Sequence, residues 1–180
     1  AGTVDLYVEY SGTIWGSYMR REGNPGRAEI TDITQTFVRE RGLNPVGLAG
    51  FQNRYALAMR RERAEELGIE SVQDLAPLAG ILSAGGDLEF FGRSEWKRLQ
   101  SLYNLDFAQE LTFDAALMYT AVEAGQVDVI SAYSTDGRVA AYDLVLLEDP
   151  RQALLSYDAM LLASSEAAQD PRFAAALAPV

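Results

Sequence analysis

The chain has 180 residues, 48% of them hydrophobic and 23% charged, with a formal net charge of −11. This is the composition of a globular chain with a real core, long enough for one domain or two small lobes, and its acidic balance argues against nucleic acid, whose binding rests on neutralising phosphates with Lys and Arg. It contains no cysteine and no histidine, which excludes disulfides, thiolate nucleophiles, Ser–His–Asp triads and Cys- or His-ligated metals.

In chain order, TVDLYVEY alternates Val4, Leu6 and Val8 against Asp5, Tyr7 and Glu9, a strand with its apolar set on one face. A turn at Ser11-Gly12-Thr13 leads to a helix over Ile14–Arg21. GNPGRAE reads as a loop by its Gly and Pro content. ITDITQTFVRERG reads as a helix with Ile33, Phe37 and Val38 on one face and Gly42 at its stop. YALAMRR is a short strand. RAEELGI and SVQDLAPLAG are short helices, the second with Ser71 as N-cap and Asp74 three residues on. GILSAGGD is an apolar strand running into a Gly-Gly turn. SEWKRLQSLYNL is an amphipathic helix through Trp96, Leu99, Leu102 and Tyr103. DAALMYTAVEAG is another helix, stopped by Gly125. VDVISAY and YDLVLLED are strands, and AAQDPRFAAAL opens a last helix. Strands alternating with helices predict an α/β chain with a mostly parallel sheet. No run approaches the roughly 18 apolar residues of a membrane-spanning helix.

Few residues carry chemistry. An enzyme built from this sequence would work with carboxylates, Lys, Tyr or Ser alone. Asp87 and Glu89 are the acid–base candidates, against a plainer reading as a loop acid and a cap. GGD is either a backbone cradle for an anion or a tight turn. Asp136-Gly137 reads as a turn or a helix start. The tyrosines are more informative. Tyr10, Tyr55, Tyr133 and Tyr157 sit where strands end, and ligands of α/β sheets bind outside strand ends. Tyr103 and Tyr119, on helices, read as core.

Five stretches carry a resemblance: DLYVEYSGT (residues 5–13), FQNRYALAM (51–59), GGDLEFFGR (85–93), VDVISAYSTDGRVAAYDLVLLEDP (127–150) and SYDAMLL (156–162). In this order and spacing, the chain resembles the substrate-binding proteins of ABC importers for quaternary-ammonium osmoprotectants such as glycine betaine, choline, carnitine and proline betaine. The resemblance implies a two-lobed periplasmic-binding-protein fold of type II. Residues 1–50 would form a partial first lobe, 51–157 the second lobe, and 158–180 a return segment to the first. Such proteins carry a strand–helix–strand unit before DLYVEY and helices after the last stretch. The first lobe is therefore expected to be completed by a further segment or a second chain, and one ligand-contacting Lys- or Gln-type side chain has no counterpart.

The same resemblance implies the site. Tyr10, Tyr55, Tyr133 and Tyr157 match the walls of an aromatic cage between the lobes. Arg93 and Thr13 match the readers of the ligand's carboxylate, with Asn53 nearby through its backbone. The residues alone favour a surface ion pair of Arg93 with Glu95 or Glu89. The implied partners are a small quaternary-ammonium ligand and a membrane permease, outside the cytoplasm, with no cofactor, no metal and no catalysis. Two alternatives stay open: a ligand-sensing or permease-fused binding domain of the same fold, and a carboxylate-based α/β enzyme.

Overall fold

The apolar run DAMLLA becomes a strand buried along its whole length, β8 (Asp158–Ala163), and one of two sheets is built around it. The computed structural model describes residues 4–177. The chain divides into two compact units, one formed by the residues up to 54 with those from 155 onward, the other by Tyr55–Leu154.

In the first unit β8 is flanked by β1 (Leu6–Tyr10) and β2 (Asn44–Gln52), both antiparallel to it. A single helical turn, α1 (Ser11–Thr13), runs directly into a π-helical segment, Ile14–Tyr18. It packs with α2 (Arg27–Arg39), and Ile14 and Val38 meet Met160 and Leu162 of β8 in a small core. Several sequence expectations shift here. Arg27, Ala28 and Glu29 are helical rather than loop, because Gly26, at φ 107°, is where the loop ends. The buried stripe of α2 is Ile30, Thr34 and Val38, while Ile33 and Phe37 are half-buried. Thr34 fits that stripe because its hydroxyl donates to the Ile30 carbonyl at 2.7 Å. In β1 the expected alternation is not kept: Leu6 is half-buried, Tyr7 and Val8 are both exposed, and the polar Glu9 is buried. The Glu9 carboxylate accepts the Tyr10 N–H at 2.8 Å, which compensates its burial. The expected last helix is two, α8 (Ser165–Gln169) and α9 (Pro171–Leu177). Pro171 holds Asp170 in extended backbone and so breaks the helix before it.

The second unit holds β3 (Tyr55–Arg60), α3 (Arg61–Leu67), α4 (Val72–Leu75), β4 (Ser83–Gly86), α5 (Ser94–Tyr103), β5 (Gln109–Thr112), α6 (Met118–Glu123), β6 (Val129–Tyr133), α7 (Arg138–Ala141) and β7 (Leu144–Leu146). Its strand order is β5-β4-β6-β3-β7. The sheet is mixed rather than mostly parallel. The strands linked through the helices α5 and α6 are parallel, β4 to β5 and β4 to β6. β3 runs antiparallel to both β6 and β7. Ala58, Met118, Tyr119, Val122, Val127, Ile130 and Leu144 form a core on this sheet. The Ser71–Asp74 capping box forms as read, with the Asp74 carboxylate accepting the Ser71 N–H at 2.9 Å. Gly85 and Gly86 lie in β4 and not in a turn. A Cβ on Gly85 would come within 3.0–3.2 Å of Phe113, Ile130 and Val127, and one on Gly86 within 3.1 Å of Phe90 and Phe91, so close packing demands both glycines. No helix among the described residues is long and apolar enough to cross a membrane.

Candidate ligand site

β3 begins at Tyr55 and β6 ends at Tyr133, and the antiparallel register sets the two residues directly opposite each other. Side chains so paired share a face of the sheet. Their ring centroids are 4.8 Å apart with planes at 36°, and the Tyr133 hydroxyl donates to the Tyr55 oxygen at 3.0 Å. The two differ in access: Tyr55 is 5% exposed and Tyr133 37%. Burial, with the Tyr133 hydrogen bond second, pushes the Tyr55 hydroxyl well above the ordinary phenol range, so it stays neutral.

Beneath this pair lies a run of aromatic rings. Phe90 is 5.3 Å from Tyr55 and 5.4 Å from Trp96, which stacks at 5.9 Å on Phe107. The Arg93 guanidinium sits 5.1 Å from the Tyr55 ring centre. It also pairs with the buried Glu95 at 3.3 Å and loosely with the exposed Glu89 at 3.8 Å. The ion pair expected from the residues alone therefore exists, alongside the contact with Tyr55. Asp87 is engaged structurally: its Oδ1 accepts the Glu89 and Phe90 N–H groups at 2.9 Å and caps the turn after β4.

The loop after Tyr133 is fixed by charge. Asp136 accepts the Arg138 backbone N–H at 2.9 Å, the Arg138 guanidinium at 2.6 Å and the Tyr119 hydroxyl at 3.0 Å. Chiefly through the Arg138 side-chain bond, its carboxyl is held down at about 2. Tyr103 and Tyr119 are buried and hydrogen-bonded to Asp149 and Asp136, the core role read for them.

The other candidates lie in the first unit. Tyr10 is the last residue of β1 and Thr13 closes α1; both are half-buried. Tyr157, 6% exposed, immediately precedes β8. Its carbonyl accepts the Asn53 N–H at 3.1 Å, so both Asn53 and Tyr157 belong to this unit. Its backbone is clamped on either side. The Ser11 hydroxyl donates to the Ser156 carbonyl at 3.2 Å and accepts the Asp158 N–H at 3.0 Å. The Asp158 carboxylate, 3% exposed, holds Arg27 at 2.6 Å. Gly12 lies against the Tyr157 ring, leaving no room for a Cβ. Sequence reasoning overlooked Phe90 and Glu95 as supports for the site. The FF pair just before Arg93 was the available signal for Phe90, while Glu95 was read as a surface partner of Arg93 and its burial left no local trace.

The whole chain, residues 1–180, matches the family described as the substrate binding domain of ABC-type glycine betaine transport systems. It belongs to that family. A glycine-betaine-binding protein of Pseudomonas aeruginosa (strain PAO1) is 32% identical over all of this chain and 62% of its own. The ergothioneine transport permease/ergothioneine binding protein EgtU of Helicobacter pylori (strain G27) is 30% identical over 92% of this chain and 30% of its own. A crystal structure of a glycine betaine/carnitine/choline ABC transporter superposes with a TM-score of 0.84 at 30% identity, over 96% of this chain and 65% of that one. The fold of this substrate-binding domain is thus the α/β periplasmic-binding-protein fold of type II, and the chain spans between 30% and 65% of the length of these relatives.

Proposed function

We propose that this domain binds a quaternary-ammonium osmoprotectant of the glycine betaine type and delivers it, outside the cytoplasm, to an ABC permease. The observation that carries the reading is the in-register pair Tyr55 and Tyr133, with the Arg93 cation already resting against Tyr55. A trimethylammonium group cannot donate a hydrogen bond, and its charge is spread over methyl groups. Tyrosine faces suit it through cation–π attraction, worth up to ~2 kcal/mol each when desolvated. The residues proposed to take part are Tyr10, Tyr55, Tyr133 and Tyr157 as aromatic faces, Arg93 and Thr13 as carboxylate readers, and Asn53 beside them. Four faces supply at most roughly 8 kcal/mol before ordering costs. A micromolar complex requires about 8 kcal/mol net, so the carboxylate contacts are needed as well. No bond is made or broken in this reading, and the domain acts as a binding module rather than an enzyme. A permease-fused arrangement is a second reading, supported by the combined permease and binding-protein name of the H. pylori relative.

Calorimetric titration with glycine betaine, carnitine, choline and ergothioneine tests the proposal. Micromolar binding of at least one quaternary-ammonium ligand is expected. Absence of heat with all four overturns it.

A further inference from the structure

We propose that Glu95 is the positioning residue for Arg93, holding the guanidinium in the orientation that reads a ligand carboxylate; this rests on the betaine-binding reading above. Arg93 occupies the N-cap of α5 and Glu95 lies in the first turn of that helix. The Glu95 side chain is only 4% exposed, whereas that of Arg93 is 28% exposed. A carboxylate removed from water is costly unless it is paired and hydrogen-bonded. Glu95 meets that requirement with one oxygen 3.3 Å from an Arg93 terminal nitrogen and the other accepting the Ser94 hydroxyl at 3.1 Å.

The geometry divides the guanidinium between two tasks. The edge toward Glu95 is anchored in the protein. The carbon rests 5.1 Å from the Tyr55 ring centre, and part of the group still reaches solvent. A planar fork with one edge fixed has fewer orientations to lose when a carboxylate meets its solvent-facing side. Glu89 cannot serve in this way, since its side chain is 80% exposed and 3.8 Å away. The ion pair between Arg93 and Glu95 therefore does not compete with a binding role for Arg93 but prepares it.

A rival account gives Glu95 a local role only, as an acid complementing the N-terminal dipole of α5. The two accounts differ in what a variant does to selectivity. Glycine betaine carries a carboxylate and choline does not. Loss of helix stability affects both ligands alike, whereas loss of Arg93 orientation affects glycine betaine alone.

Both ligands are titrated calorimetrically against the wild type, Arg93→Ala, Glu95→Ala and Glu95→Asp, with thermal melts of each. Glu95→Ala is expected to weaken glycine betaine roughly tenfold, the low end for a hydrogen bond to a charged group, and to leave choline within about twofold. Glu95→Asp, with its carboxylate drawn back by one methylene, is expected to shift the same ratio in the same direction by less, and it decides the matter if Glu95→Ala does not fold. Equal losses for the two ligands, or no loss for either, overturn the role of Glu95 while leaving the betaine reading intact. Failure of the wild type to bind either ligand overturns that reading and this inference with it.

Discussion

Tyr55 and Tyr133 are 78 residues apart in sequence, yet stand opposite each other at the ends of adjacent strands with their hydroxyls 3.0 Å apart. One is core and the other surface, so equivalent substitutions have different effects. Tyr133→Ala is expected to lose ~1–2 kcal/mol of quaternary-ammonium binding with little loss of stability, because Tyr133 is already 37% exposed. Tyr55→Ala removes a ring packed on Phe90 and Tyr133 and is expected to destabilise the fold by about 3–5 kcal/mol. Calorimetry and denaturant melts on the two variants separate the effects. Unchanged affinity in a folded Tyr133→Ala protein would remove Tyr133 from the site.

The Asp136 clamp behind Tyr133 makes stability sensitive to acid. Its carboxyl is lowered from 3.8 to about 2, chiefly by the Arg138 side chain. A carboxyl depressed in the folded state contributes stability above its unfolded value and loses it as pH falls through the folded one. The contribution should thus be nearly complete above about pH 4, mostly lost by about pH 2 and gone about one unit lower, with an amplitude of about 1–2 kcal/mol after allowing for the partly exposed Arg138. Asp136→Asn should flatten that part of the stability profile. A variant whose melts between pH 5 and pH 2 run parallel to the wild type would show that the pair contributes nothing.

Local pattern explains which of these features were legible in the sequence. The helix through Trp96, Leu99 and Tyr103 was readable because helical spacing alone places the three on one buried face, whereas Leu102, read with them, is exposed. The capping box was readable because its partners lie three residues apart. The strand-end positions of Tyr55 and Tyr133 were readable, but their pairing was not, since register between distant strands leaves no local trace. β2 went unseen because Pro45, Gly47 and Gly50 mask it. It is an edge strand of its sheet with register shifts beside Pro45 and after Leu48, where such residues are tolerated. The Gly85-Gly86 pair was misread as a turn because glycine's commoner role is conformational. Here the two residues serve the close approach of Phe90, Phe91 and Phe113.

Gly12 provides a direct test of how Tyr157 is held. A Cβ there would lie 2.7 Å from two Tyr157 ring carbons and 2.8 Å from the Ser156 carbonyl oxygen. The backbone oxygen cannot yield cheaply, because the Ser11 hydroxyl bonds to it and the strand begins two residues later. Gly12→Ala is therefore expected to displace the Tyr157 ring and to cost about 1–3 kcal/mol of stability, the usual penalty of overpacking. Gly16→Ala is the control, since a Cβ at Gly16 meets nothing within 4 Å. Thermal melts that rank the two variants equally would contradict the packing argument.

Ligand preference is expected to follow from Thr13 and Arg93. A choline site needs a partner for a hydroxyl, and a betaine site needs donors for a carboxylate. Arg93 offers a fixed fork of donors with a full positive charge. Thr13, half-buried at the end of α1, is neutral and can donate, where an acid would repel a carboxylate. The two residues are thus expected to favour a zwitterionic betaine over choline. Arg93→Ala should cost glycine betaine roughly 1.5–3 kcal/mol, the range for a hydrogen bond to a charged group, and choline much less. Thr13→Asp should move the preference toward choline, because the new carboxylate repels that of the betaine and accepts the choline hydroxyl. Titration of both ligands against the wild type and the two variants decides the matter. Equal losses for betaine and choline in Arg93→Ala would mean that Arg93 shapes the site through Tyr55 and Glu95 rather than reading the carboxylate. A Thr13→Asp protein with unchanged preference would place Thr13 outside the ligand's reach.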